Sequence, residues 1–214
     1  VTGLYEDQKG HRVVLTMGRT DPSAGLPLKW IGRWLCRSEV RFYRALADLG
    51  NVPEFLGYFE ETGFVHRYVP GRPLEKGKPV PDGYFAALQN LMREIHRREI
   101  AYVDANKPEN ILLGDDGQPH LIDFQISWDL TELGNWWLNR LWLRRLQHED
   151  LYHILKHKRR MRPDEMTPEE QQAAQQRSLF IRIHRFVTKP YFLVRRALFK
   201  QLRESGRILP EASK

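Results

Sequence analysis

The sequence predicts an α+β chain of two lobes, a small N-terminal sheet with one helix followed by a compact, mainly helical second lobe. Three observations predict it. Short β-branched and aromatic runs cluster before residue 70 around a single long helical period. A Pro- and Gly-rich stretch, "PGRPLEKGKPVPDG", then interrupts the pattern. Beyond it the apolar spacing is helical almost throughout, apart from two brief apolar runs about a Gly-containing turn.

The first element is a hairpin. "VTGLYED" and "RVVLTMG" flank the turn residues Gln8, Lys9 and Gly10, and the Val and Leu of the second run favour a strand. After the loop "RTDPSAGLP", the segment "LKWIGRWLCRSEVRFYRALADLG" sets Trp30, Trp34, Leu35, Val40, Phe42, Tyr43 and Leu46 at mixed spacings of three and four, and Gly50 ends it. That pattern is one long helix. Two strands, "EFLGYFE" and "GFVHRYV", follow across the turn Glu61-Thr62-Gly63. The Pro/Gly-rich connector divides the chain into lobes at 1–72 and 73–214, and because residue 1 is Val the first lobe is expected to be cut short at its start. In the second lobe 84–98, "YFAALQNLMREIHRR", has a helical period, and "ILL" and "HLIDF" read as strands about the turn Gly114-Asp115-Asp116-Gly117. From about Leu130 onward the chain is helical and increasingly basic, with Thr167 and Glu170 spaced as a capping box.

With 214 residues, 41% hydrophobic and 29% charged, the chain can bury a core without disulfides or metals. A net charge of +7 points to an acidic partner such as anionic lipid or a phosphorylated ligand. Nucleic acid is not expected, since no reading motif accompanies the charge. The single cysteine, Cys36, cannot form an intramolecular disulfide and reads as a buried, inert thiol suited to a reducing compartment. His153 and His157 lie four apart on one helical face without a third ligand at a clear spacing, and read as a wet basic face. "NWWLNRLWLRRL" is too short and too often broken by Asn and Arg to span a bilayer. Its polar residues Asn139, Arg140, Arg144 and Arg145 spread around the circumference, so it is expected to be a core helix. Near the C-terminus, Leu179, Ile183, Phe186 and Val187 form one apolar stripe and Tyr191, Val194, Leu198 and Leu202 another, with basic residues from Arg182 to Arg203 between them. Such basic amphipathic helices can rest on an anionic membrane surface, pack onto the second lobe, or do both. With no signal-like segment at the start, the expected location is cytoplasmic and peripheral, on the inner face of the membrane.

Within "YVDANKPENILLGDDGQPHLIDFQ", Asp104, Lys107, Asn110 and Asp123 supply the parts that phosphoryl transfer needs. These are carboxylate and amide oxygens for metal ions, a carboxylate near the acceptor hydroxyl, and a cation near the migrating charge. A strand-turn-strand between Asn110 and Asp123 would bring both metal-binding candidates to one end of a hairpin.

In "YVDANKPEN" and "IDFQ" the sequence resembles the protein-kinase-like superfamily, and within it the small bacterial kinases grouped with lipopolysaccharide core sugar kinases and RIO-type kinases. The resemblance covers 1–130. It implies ATP and magnesium as cofactors, Asp104 as the catalytic aspartate, Lys107 as the loop lysine near the γ-phosphate, and Asn110 and Asp123 as magnesium ligands. "RVVLTMG" takes the place of the phosphate-anchoring strand, which puts Val14 and Thr16 on the face towards the nucleotide and Glu39 on the following helix. In "HRYVPG", main-chain groups of Arg67 and Val69 would bond the adenine, with His66 behind them.

Four departures from the family pattern stand out. Thr16 occupies the position of the lysine that anchors the α- and β-phosphates, which leaves Glu39 without its ion-pair partner. The loop has one residue more between Asp104 and Asn110 than "DLKPEN", a difference that can displace a ligand. Val103 replaces the arginine of the HRD triplet and no APE-like segment follows "DFQ", so activation through a long phosphorylated loop is not expected. No GxGxxG loop is visible, and Gly3 would be its last remnant. The resemblance implies a kinase acting on a hydroxyl acceptor, a sugar, a glycolipid or a protein Ser/Thr. The alternative is a pseudokinase-like scaffold that binds nucleotide and is impaired by Thr16.

Overall fold

Alternating side chains and Gly-containing turns build the first sheet. The computed structural model describes residues 2–6, 9–18, 29–131 and 134–175. The chain divides into two units, 1–174 and 175–214, and both sheets and the apolar core belong to the first. Strand β1 (Thr2–Glu6) pairs antiparallel with β2 (Arg12–Met17), with Thr2 opposite Thr16. Strands β3 (Phe55–Phe59) and β4 (Gly63–Arg67) form the second hairpin, and β4 joins β2 to give the order β1-β2-β4-β3. Gly63 opens β4 where no side chain fits, because a Cβ there would lie 2.8 Å from the Phe59 carbonyl oxygen.

Helix α1 (Lys29–Ala45) lies against this sheet and buries Val40, Phe42 and Tyr43 beside Phe64. Trp34 on the same helix is half exposed. Cys36 is buried, and burial together with the Glu39 carboxylate raises its thiol pKa, so it stays protonated.

The Pro/Gly-rich connector contains an element that its composition hides. Residues Gly71–Pro73 form β5, which pairs with β6 (Ile111–Gly114), itself paired with β7 (Pro119–Leu121). Gly71 sits at φ +149°, and a Cβ there would fall 2.5 Å from the Leu113 carbonyl oxygen, so a close backbone approach requires the glycine. Helix α2 (Tyr84–Arg97) buries Phe85, Leu88, Met92 and Ile95 in the same core. Helix α3 (Trp137–Met161) contributes Ile154, and α4 (Pro168–Gln175) closes the described chain. The capping box at α4 is complete. The Glu170 N–H donates to Thr167 Oγ1 at 3.2 Å and the Thr167 N–H to the Glu170 carboxylate at 3.1 Å.

The start of α3 corrects the expectation of a core helix. Its Asn139 and Leu143 are buried, four residues apart on one line, while Trp137 is 71% and Leu141 60% exposed. Polar residues scattered around a helix do not decide which line packs; here Asn139 does so, accepting from Trp128 Nε1 at 3.0 Å and donating to the Gly134 carbonyl at 2.7 Å. Among the described residues no helix is long and apolar enough to cross a membrane. The apolar stripes and basic rows of 179–203 lie outside the described residues.

Candidate active site

Peptide N–H groups held by a buried carboxylate set the shape of the catalytic-loop candidate. Asp150 on α3 is fully buried and accepts from the N–H groups of Tyr102 and Val103, both at 2.8 Å. His96 of α2 lies 3.1 Å from the same carboxylate. Burial raises the Asp150 pKa, opposed by these hydrogen bonds. Val103 adopts φ +69°, a strained conformation for a β-branched residue, and the two bonds to Asp150 hold it there. Asp104 follows, with one carboxylate oxygen accepting from Lys107 Nζ at 2.6 Å and from Asn110 Nδ2 at 2.9 Å. That bond to Asp104 raises the Lys107 pKa and keeps it cationic. The extra loop residue displaces neither partner. It is taken up in a turn at Ala105 and Asn106, where the Ala105 carbonyl is 3.0 Å from Nε2 of His157, a buried residue and not part of a wet basic face.

The hairpin β6–β7 returns the chain as its turn residues dictate, with Asn110 just before it and Asp123 just after. The Ile122 N–H donates to the Asn110 carbonyl at 3.1 Å, and both Asn110 and Asp123 line a cleft of about 750 Å³. Because Asn110 Nδ2 is committed to Asp104, its Oδ1 is the atom left for a ligand. Asp123, at φ +62°, accepts from the Gln125 N–H at 3.3 Å. One carboxylate and one amide oxygen suit a hard cation such as magnesium, which takes its remaining oxygens from phosphates and water. Among the described residues no group of three or more His, Cys, Asp or Glu gathers as a self-sufficient metal site.

The opposite wall carries Val14, Thr16, Glu39, His66 and Val69. No lysine or arginine lies on the described wall. Glu39 is buried and accepts from the Phe124 N–H and the Tyr43 hydroxyl. Burial, and then the nearby Asp123 carboxylate, push its pKa up to about 8, so at neutral pH it is mostly uncharged. Arg67 stands outside the wall. Its N–H donates to the Glu54 carbonyl at 2.8 Å, and its carbonyl lies 3.0 Å from His66 Nδ1.

Four rings tie the two walls together. Phe64, Tyr43, Phe124 and Tyr102 follow one another at centroid distances of 5.6, 5.3 and 5.0 Å, and Tyr102 ends the column beside Asp150. Tyr43 also accepts from the Asp123 N–H at 3.2 Å, so one hydroxyl touches both Glu39 and the metal-binding candidate. Sequence reasoning missed Tyr43, Tyr102 and Asp150 as site residues. Asp150 lies in the polar run "QHEDLYH" without any spacing that marks it.

No protein-family model matches the chain, and no curated protein matches it in sequence. Solved structures do. The Rio2 kinase from Chaetomium thermophilum is 20% identical, with a TM-score of 0.59 over 79% of this chain and 57% of its own. The ADP/Mg²⁺-phosphoaspartate complex of Rio2 kinase from the same organism matches with the same identity and TM-score, over 79% of this chain and 56% of its own. The chain thus spans just over half the length of the protein in these two structures. The likeness assigns it the two-lobed protein-kinase-like fold.

Proposed function

We propose that the chain is an ATP- and magnesium-dependent phosphotransferase acting on a hydroxyl group. One observation carries this reading: Asp104 holds Lys107 and Asn110 together while Asn110 and Asp123 both line the cleft. The acceptor hydroxyl gives its proton to Asp104 as its oxygen bonds to the γ-phosphorus, and the bond from that phosphorus to the ADP oxygen breaks. Lys107 offers its cation to the charge on the moving group. Asn110 and Asp123 would hold magnesium, which when bound neutralises phosphate charge. Main-chain groups of Arg67 and Val69 would bond the adenine edge, with His66 behind them; the position of Val69 and His66 on the cleft wall supports this. Fold likeness to a structure holding ADP and Mg²⁺ supports a nucleotide ligand. The resemblance of the loop to those of lipopolysaccharide core sugar kinases favours a sugar or glycolipid acceptor over a protein.

A second reading, the nucleotide-binding scaffold, draws on the cleft wall that carries Thr16 and, among the described residues, no lysine or arginine. One experiment separates the two. Thermal shift with ATP, with and without magnesium, is followed by transfer assays on sugar, glycolipid and protein acceptors. Magnesium-dependent binding with transfer supports the phosphotransferase. Binding without transfer to any acceptor supports the scaffold.

A further inference from the structure

A short length of chain that the proposed catalysis leaves unused holds Ile126, Trp136, Trp137, Leu138, Leu141 and Trp142 in solvent, each 39–71% exposed. Positions 137, 138, 141 and 142 fall on one face at 3.6 residues per turn, opposite the buried pair Asn139 and Leu143. A soluble monomer rarely leaves so continuous an apolar surface open. The chemistry of the face is particular. Two of its four members are tryptophans, with exposed Trp136 just before them, and amphipathic indole rings settle at the headgroup level of a bilayer. Across 134–148 the chain carries Arg140, Arg144 and Arg145 and no acidic residue. Arg140 and Arg145 are steadied by Glu99 at 3.0 Å and Glu149 at 2.8 Å, and Arg144 is exposed. Long arginine stems can lie along apolar surface while their heads reach lipid phosphates.

We propose that the first turns of α3 form an interfacial anchor, laid in the plane of an anionic lipid surface with its Trp and Leu side chains among the acyl boundary. A lipid surface meets both halves of this chemistry, apolar and negative. A second copy of the chain, or any basic polypeptide, would meet like charge from the exposed Arg144. No described helix is long and apolar enough to cross the bilayer, so the anchor lies on it. The proposal needs neither nucleotide nor transfer, and it goes beyond the phosphotransferase reading.

The test uses the full chain with phosphatidylcholine vesicles, with and without phosphatidylserine, read by co-sedimentation and by quenching of tryptophan emission with brominated acyl chains. Trp137→Ser with Leu141→Ser alters two exposed side chains, and an unchanged melting temperature verifies the fold; Trp137→Ser alone serves if the pair does not fold. At about 0.1 M salt the unaltered chain is expected to bind phosphatidylserine vesicles with quenching, and the double variant to bind roughly ten-fold or more weakly without it. Equal binding by the variant would overturn the anchor and assign the attraction to the basic segment 177–214. Binding without quenching overturns it too, as does a dimer in solution that the double variant dissolves.

Discussion

In the loop that leads to Asn110 on the cleft, Asp104 holds Lys107 and Asn110, and Asp150 holds the peptide N–H groups just before them. On the strand side Thr16 offers a hydroxyl where a charge is expected, and Glu39 turns to Tyr43 and Phe124 instead of a cation. The contrast separates two tasks. Groups suited to proton acceptance and metal binding are organised, whereas anchoring of the α- and β-phosphates lacks its cation on the described wall. Hydrogen bonds to ionised partners are roughly twice as strong as neutral ones, so nucleotide affinity is where the deficit should fall. The uncharged state of Glu39 softens it, because a neutral carboxyl repels phosphate less than a carboxylate does.

The sharpest way to break this contrast is Asp104→Asn. Transfer is expected to fall about 1,000-fold, while the ATP-induced thermal shift stays as it was. Transfer at the original rate would reduce Asp104 to a structural partner of Lys107. Next in size is Asp150→Ala, which leaves two buried N–H groups unpaired and should cost about 2–5 kcal/mol in urea unfolding. A loss below about 1 kcal/mol would mean that the loop is held by other contacts.

Thr16→Lys addresses the weaker wall. It should raise ATP affinity about ten-fold, or about 1.4 kcal/mol by titration calorimetry, and bring Glu39 back towards its ordinary acidic range. No gain would show that another cation already serves the phosphates. The smallest effect is on stability against pH. With Glu39 near 8 in the folded chain and near 4.5 otherwise, the folded state binds the extra proton between those values. Stability contributed by that proton is present below the lower value and is lost as pH rises through the upper one, by on the order of 1 kcal/mol per pH unit. Glu39→Gln should flatten this slope in denaturant melts at a series of pH values. An unchanged slope would assign the pH dependence to other groups.

The first two hairpins, α1, α2 and the β6–β7 return were legible because period and turn chemistry are local: "VVL" alternates, and Gly114 to Gly117 turn the chain. The juxtaposition of Asn110 and Asp123 followed from that hairpin. Strand β5 was not legible, since Gly-Arg-Pro shows no alternation and its pairing depends on residues forty positions later. Asp150 was hidden for a related reason: its partners are peptide N–H groups, which leave no trace in side-chain pattern. The exposed start of α3 was misread because a circumference of mixed polarity records composition, whereas burial depends on which line of the helix meets a neighbour.

The ring column ending at Asp150 also sets a timescale. It begins in the first sheet at Phe64, passes through Phe124 beside Asp123, and ends against a helix some fifty residues further along the chain. The amide protons of Tyr102 and Val103 are bonded to the buried Asp150 and meet solvent when that contact with α3 opens. They should therefore take up deuterium late. The amides of β3, on the open edge of the first sheet, should exchange long before.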